Sequence, residues 1–214
     1  MNLDLERTVA AVPRRLLRGR FWHQGPTQHP LNELSDPART EGRYHVAGGT
    51  GVWYASDQEQ VAWAELFRHF VDEGVDPFEV RRRVGYVDVD GLGVLDLTDT
   101  SVVSALEVTE GDLVSDEYAL TRSIAVFAAA AGFDGILAPS AALADRTTLV
   151  VFPHGMQAVT AGPSRVRQPP PRMADLLAAI RAHPDIPGTV QGLLRTIGAG
   201  GREAVRGLRR RSHP

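Results

Sequence analysis

Three residues of types that catalysis and anion binding draw on recur at an interval of eleven: Arg43, Tyr54 and Glu65. They sit in Gly42-Arg43-Tyr44, Gly51-Val52-Trp53-Tyr54-Ala55-Ser56 and Ala62-Trp63-Ala64-Glu65-Leu66-Phe67. A guanidinium holds phosphate oxygens through paired bonds, and a carboxylate stabilises positive charge that develops beside it. The spacing alone also admits a plainer reading. On a helix turning about 100° per residue, Val61, Ala64, Phe67, Phe70 and Val71 cover one broad side, while Glu65, Arg68 and His69 fall in the remaining gap. Periodicity by itself thus makes Glu65 part of a solvated face, weakly paired with His69 or Arg68. A second segment, Gly132-Phe133-Asp134-Gly135-Ile136-Leu137-Ala138-Pro139-Ser140-Ala141, offers a hydroxyl after a proline. Its plainer reading is a strand-ending turn.

Other chemistries fail on residue type or spacing. Gly48-Gly49-Thr50-Gly51 lacks the G-x-G-x-x-G spacing and leads into a strand, whereas phosphate-cradling loops lead into a helix N-terminus. The seven histidines form no i, i+4 pair and no H-E-x-x-H, so no metal site is expected from them. There is no G-x-S-x-G nucleophile elbow. With no cysteine in the chain, thiolate zinc sites, iron–sulfur clusters and a thiol nucleophile are excluded. All 23 basic residues are arginine, which removes Schiff-base chemistry and a P-loop lysine.

The elements that would position these groups follow from turn and capping signals. Residues 1–19 read as a short helix interrupted at Pro13, and Gln24 to Arg39 as loop. Val52 to Ala55 is β-prone. Ser56 and Glu59 form a capping box that opens a helix running to about Asp72 and closing at Gly74. Val84–Val89 and Val94–Leu97 read as two strands around an Asp90-Gly91 turn. An Ala-rich helix from about Asp116 to Gly132 precedes strands at Ile136–Ala138 and Thr147–Phe152. This mixed order predicts an α+β fold rather than a doubly wound sheet.

The 214 residues fit one domain with an appendage, and 43% apolar and 23% charged residues are ordinary globular values. A net charge of −3 gives no reason to expect direct nucleic-acid binding, and the absence of an apolar run or basic leader predicts a soluble, cytoplasmic protein with no membrane segment. Composition changes after residue 167. Gln168-Pro169-Pro170-Pro171 reads as a stiff spacer, and from Arg172 eight arginines face three acids, a formal +5. Helices are expected near Met173–Ala182 and Thr189–Ile197. The predicted organisation is therefore a domain over 1–167 and a Pro-rich spacer with a basic helical extension over 168–214.

From Arg18 to Phe152 the chain resembles the RES domain, a bacterial toxin family named for its Arg, Glu and Ser. The likeness rests on Gly19-Arg20-Phe21-Trp22, the Gly42-Arg43-Tyr44 … Tyr54-Ala55-Ser56 … Ala62 … Glu65 block, and Gly135-Ile136-Leu137-Ala138-Pro139-Ser140-Ala141 before Leu149–Phe152. The resemblance implies an ADP-ribosyltransferase-like mixed β core flanked by helices. It implies an enzyme that consumes NAD at the nicotinamide–ribose bond, by phosphorolysis or hydrolysis, with no cofactor and with phosphate as a co-substrate in the first case. Protein ADP-ribosylation from the same site is the alternative. A cognate Xre-type antitoxin is the implied partner.

On that reading Glu65 stabilises charge on the ribose, Arg20 and Arg43 clamp the pyrophosphate, and Tyr54 stacks on nicotinamide. The family serine falls on Ser140 by its "PSA" pattern, or on Thr121 or Ser123, because counting back from the Pro139 strand reaches Ala119. Phe21 stands where the family has tyrosine. A different class of function is a non-enzymatic interaction module whose Arg-rich C-terminus binds an acidic partner or nucleic acid; a twin subunit is a further binding partner for that segment.

Overall fold

The computed structural model describes residues 3–34, 41–73 and 80–169. Gly74 and the predicted helices near 173–182 and 189–197 lie outside the described residues. The order is α1 (Leu3–Ala11), β1 (Arg15–Gly25), β2 (Trp53–Ser56), α2 (Glu59–Glu73), β3 (Arg82–Asp96), α3 (Thr100–Ala105), α4 (Glu110–Val114), α5 (Ala119–Ala130), β4 (Gly135–Pro139), β5 (Thr147–Val151), a 3-10 turn at Pro153–Ala158, and β6 (Val159–Arg167). It is a mixed α+β fold.

The strand pairings close on themselves. β1 pairs β2, β2 pairs β5, β5 pairs β4, β4 pairs β3, and β3 returns to β1, with β6 along the remaining half of β3. Only β3–β4 is parallel. Because side chains alternate across a strand, the central strands β4 and β5 feed two apolar layers. Leu17, Phe21, Trp53, Val87, Leu137, Leu149 and Val151 form one. Ile136, Ala138 and Val150 face the other way, against Leu5 and Val9 of α1 and Ile124, Phe127 and Ala128 of α5.

Three expectations are corrected here. Residues 15–25, read as helix end and loop, form a long strand. Its alternation is hidden by exposed Arg15, Arg18 and Arg20, and only Leu17, Phe21 and Gly25 are buried. The two strands around Asp90-Gly91 are one, β3. Gly91 sits at φ +74° where the β1 register steps from Leu17↔Leu92 to Arg18↔Asp90, so the dipeptide makes a β-bulge rather than a hairpin turn. Ser56 does not cap α2. It ends β2, opposite Trp22 and Thr148, and the helix begins at Glu59.

Over 59–67, the part of α2 whose side chains are described, the helix is mostly buried, and the expected places of Arg68, His69, Phe70 and Val71 lie outside that part. Val61, Ala62, Trp63, Ala64, Leu66 and Phe67 are all buried, so Glu65 is surrounded by core positions instead of lying on an outer face. Trp63 stacks on Phe67 at 5.9 Å. A carboxylate on such a helix needs polar partners.

Candidate active site

Those partners come from the ends of β4 and β5. Ser140 follows β4 directly, and its Oγ donates to Glu65 Oε1 at 2.6 Å. Thr148 Oγ1, on β5, donates to the same oxygen at 3.2 Å, and the Ala142 backbone N–H reaches it at 3.4 Å. Ser140 Oγ in turn accepts from the backbone N–H groups of Ala142 (3.1 Å) and Leu143 (3.2 Å). The serine hydroxyl therefore fixes both the turn after β4 and one carboxylate oxygen. Among the described residues no donor reaches Glu65 Oε2.

Glu65 opens on a pocket of about 670 Å³ whose wall also holds Arg43, Tyr54, His45, His23, Tyr118, Thr148 and Arg82. That volume falls within the ~300–1,000 Å³ usual for small-molecule sites. Of the residues singled out from the sequence, Arg43, Tyr54 and Glu65 meet on this wall. Ser140 is 1% exposed and does not reach the pocket; its contact is Glu65. Thr121 is buried in α5, with Oγ1 donating to Arg43 O at 2.7 Å, so it holds the Arg43 backbone. Ser123 Oγ bonds back to Ala119 O within α5, outside the site. Arg20 is not brought to the pocket either. It stands on the exposed side of β1, with Nε bonded to Asp88 Oδ1 at 3.1 Å and its guanidinium 3.7 Å from the centre of the Tyr86 ring.

The Gly42-Arg43-Tyr44 segment is built around close approach. A Cβ on Gly42 would lie 2.9 Å from His45 Cε1 and 3.0 Å from the Tyr54 hydroxyl, so any larger residue forces these rings to shift. Arg122 Nε donates to Gly42 O at 3.0 Å. Arg43 is buried; its Nη1 donates to the carbonyls of Leu113, at 3.1 Å, and Ser115, and its guanidinium lies 4.7 Å over Tyr118. Part of the fork thus anchors the segment to the C-terminal end of α4. The Tyr54 hydroxyl accepts from the Tyr44 N–H at 3.2 Å and lies 3.1 Å from His45 Nδ1. Burial pushes its pKa well above the ordinary phenol range, so the ring on the wall is neutral.

The wall residues that were not singled out from the sequence include Thr148, Tyr118, His23 and Arg82. Thr148 is a polar residue within an apolar strand, which was the available signal. Tyr118, read only as part of a family serine slot, places its ring under Arg43. His23 packs on Trp53 with ring centres 4.7 Å apart, and its Nδ1 lies 2.5 Å from Tyr54 O; burial lowers its pKa to about 4, leaving a neutral imidazole. Arg82 Nε donates to Gln24 Oε1 at 2.7 Å. The Arg81-Arg82-Arg83 run at a strand start was legible as a signal, since alternation sends neighbouring side chains to opposite sides.

Comparison with known proteins places this geometry. A probable NAD(+) phosphorylase of Mycobacterium tuberculosis is 56% identical over 208 residues, covering 97% of this chain and all of that protein. A chain of the crystal structure of the M. tuberculosis MbcT-MbcA toxin-antitoxin complex superposes with a TM-score of 0.69 at 19% identity, over 85% of this chain and 98% of that one, which establishes the shared fold. The RES domain model matches residues 12–173, taking in β1 through β6 and every wall residue named above. On that match and that identity, the chain belongs to the RES domain family.

Proposed function

We propose that this protein degrades NAD by breaking the bond between nicotinamide and ribose, with inorganic phosphate as the acceptor, and that it acts as a toxin restrained by a partner protein. The observation that carries this reading is Glu65, held by Ser140 and Thr148 through one oxygen with the other unengaged on the pocket wall. As the C–N bond lengthens, its electron pair returns to the nicotinamide nitrogen, which leaves neutral, and positive charge gathers on the ribose. A fixed carboxylate beside the anomeric carbon stabilises that charge. A phosphate oxygen then forms the new bond to this carbon, giving ADP-ribose phosphate.

Tyr54 supplies a flat, neutral ring for the cationic nicotinamide, and Arg43 contributes positive charge to the same wall. Ser140 acts as a positioning residue for Glu65 rather than as a sugar ligand. The name of the 56% identical relative supports phosphate as acceptor over water or a protein side chain. The toxin-antitoxin complex among structures of this fold supports an inhibitory partner, which we take to be an Xre-type antitoxin. NAD is an intracellular substrate, which fits action in the cytoplasm.

We read the closed strand pairing as an ADP-ribosyltransferase-like core, with residues 1–167 as the NAD-cleaving unit and 168–214 as a basic extension that binds the partner or a second copy. The test is to incubate the purified protein with NAD, with and without phosphate, and identify the products. Nicotinamide and ADP-ribose phosphate are expected with phosphate present. Glu65→Gln, which removes charge at constant volume, should abolish them while leaving circular dichroism unchanged. Full NAD consumption by that variant would overturn the reading.

A further inference from the structure

Two arginines line the pocket, and they differ in what already holds them. Arg43 donates to two backbone carbonyls at the end of α4. Arg82 has one fixed bond, from Nε to the neutral amide of Gln24 at 2.7 Å, and no carboxylate among the described residues pairs with it. Its neighbours are compensated. Arg83 points away and donates to Thr27 O through Nε at 3.2 Å and Nη2 at 2.7 Å. Arg167, opposite Arg82 in the β3–β6 register, is paired with Glu59.

Three acids share the wall, and none neutralises Arg82. Glu33 lies 2.9 Å from His29, Glu41 is 3.5 Å from Arg122, and Glu65 is held by Ser140 and Thr148. His23 is neutral and adds no charge. Burial lowers the Arg82 pKa, with no acid acting to raise it. A half-buried guanidinium without a counter-charge is costly, and this one keeps its two Nη nitrogens side by side, in the geometry that binds phosphate through parallel bonds.

We propose that Arg82, aimed by Gln24, is the phosphate seat of this pocket, the residue that binds the pyrophosphate of the dinucleotide substrate. The assignment rests on the NAD reading of the pocket and replaces the expectation placed on Arg20, which lies outside it. Gln24 positions the guanidinium without quenching its charge, so the two residues act as a unit.

The test compares wild type, Arg82→Gln and Arg82→Lys in the full-length protein, using calorimetric binding of ADP and of inorganic pyrophosphate alongside NAD kinetics. Arg82→Gln should weaken both ligands roughly ten- to hundredfold, the range of a lost charge-assisted bond, and raise KM for NAD more than it lowers kcat. Arg82→Lys should recover only part of the affinity, because a point charge lacks the planar fork. Wild-type affinity for ADP in either folded variant would overturn the assignment, and Arg82→Lys serves if Arg82→Gln fails to fold. Arg82-dependent binding of ADP by a wild type that leaves NAD intact would keep the phosphate seat and refute NAD cleavage. NAD cleavage with unchanged KM and ADP affinity in Arg82→Gln would refute the seat alone.

Discussion

Replacing Ser140 by alanine separates a residue that positions the carboxylate from one that touches substrate. The 2.6 Å bond to Glu65 Oε1 is short, and hydrogen bonds to charged groups contribute about 1.5–3 kcal/mol. If that orientation matters only as charge develops on the ribose, turnover falls roughly 10- to 150-fold, at about 1.4 kcal/mol per factor of ten. KM for NAD should move little, since Ser140 does not reach the pocket. Stability also drops. Leu143 N–H loses its acceptor, whereas Ala142 N–H keeps its 3.4 Å contact with Glu65, so one buried donor is orphaned at a cost of about 1–3 kcal/mol. Thr148→Val removes the longer 3.2 Å bond and should cost about 0.5–1.5 kcal/mol, two- to tenfold in kcat. Because both hydroxyls serve one oxygen, the double variant should deviate from additivity by more than 0.5 kcal/mol. The assay is initial-rate nicotinamide release with urea melts of each variant, so that losses from unfolding are subtracted. Wild-type kcat in folded Ser140→Ala, or strictly additive effects, would refute the shared-acceptor reasoning.

Arg20→Ala should leave KM for NAD within about twofold of wild type by the same release assay, since exposed ion pairs outside a site contribute little. Gly42→Ala should lower stability by about 1–3 kcal/mol and reduce turnover, because its Cβ pushes on His45 and the Tyr54 hydroxyl; thermal melts and rates check both. Acidification should destabilise the protein through His23. The unfolded imidazole binds a proton near 6.5 and the folded one only near about 4, so stability falls as pH drops through that window, by about 3 kcal/mol in all, and is unaffected by this group above it. Melting temperatures from pH 7 to 4.5 in wild type and His23→Gln should diverge accordingly.

The sequence carried the site better than the sheet. Arg43, Tyr54 and Glu65 could be picked out because residue type and order survive without knowing their environment, and they do share one wall. The environment of Glu65 was not legible. A period near 3.6 separates apolar from polar residues, but α2 is buried at Ala62, Trp63 and Leu66 as well, and alanine and tryptophan mark no face clearly. β1 was missed because Arg18 and Arg20 on its exposed side, with an exposed Arg15 at its start on the other, masked a two-residue alternation. Asp90-Gly91 is a turn signal by local preference, and only the long partner β1 decides that the chain runs on through it. Arg20 and Arg82 illustrate the same limit. Both are arginines in or beside a strand, and which one faces the pocket depends on a register set by residues some seventy positions away.

The carboxylate of Glu65 is translated well before the groups that hold it, Ser140 and Thr148 lying 75 and 83 residues downstream. β1 likewise waits for β3, with Arg15 pairing Val94. At roughly 5–20 residues per second, a growing chain carries its unpaired first strand and an unheld acid for several seconds. The centre cannot be assembled until β5 has left the ribosome and threaded back between β2 and β4. Shortened products of interrupted synthesis that stop before Ser140 therefore lack the centre altogether, and a nascent chain is inert for most of its time in translation.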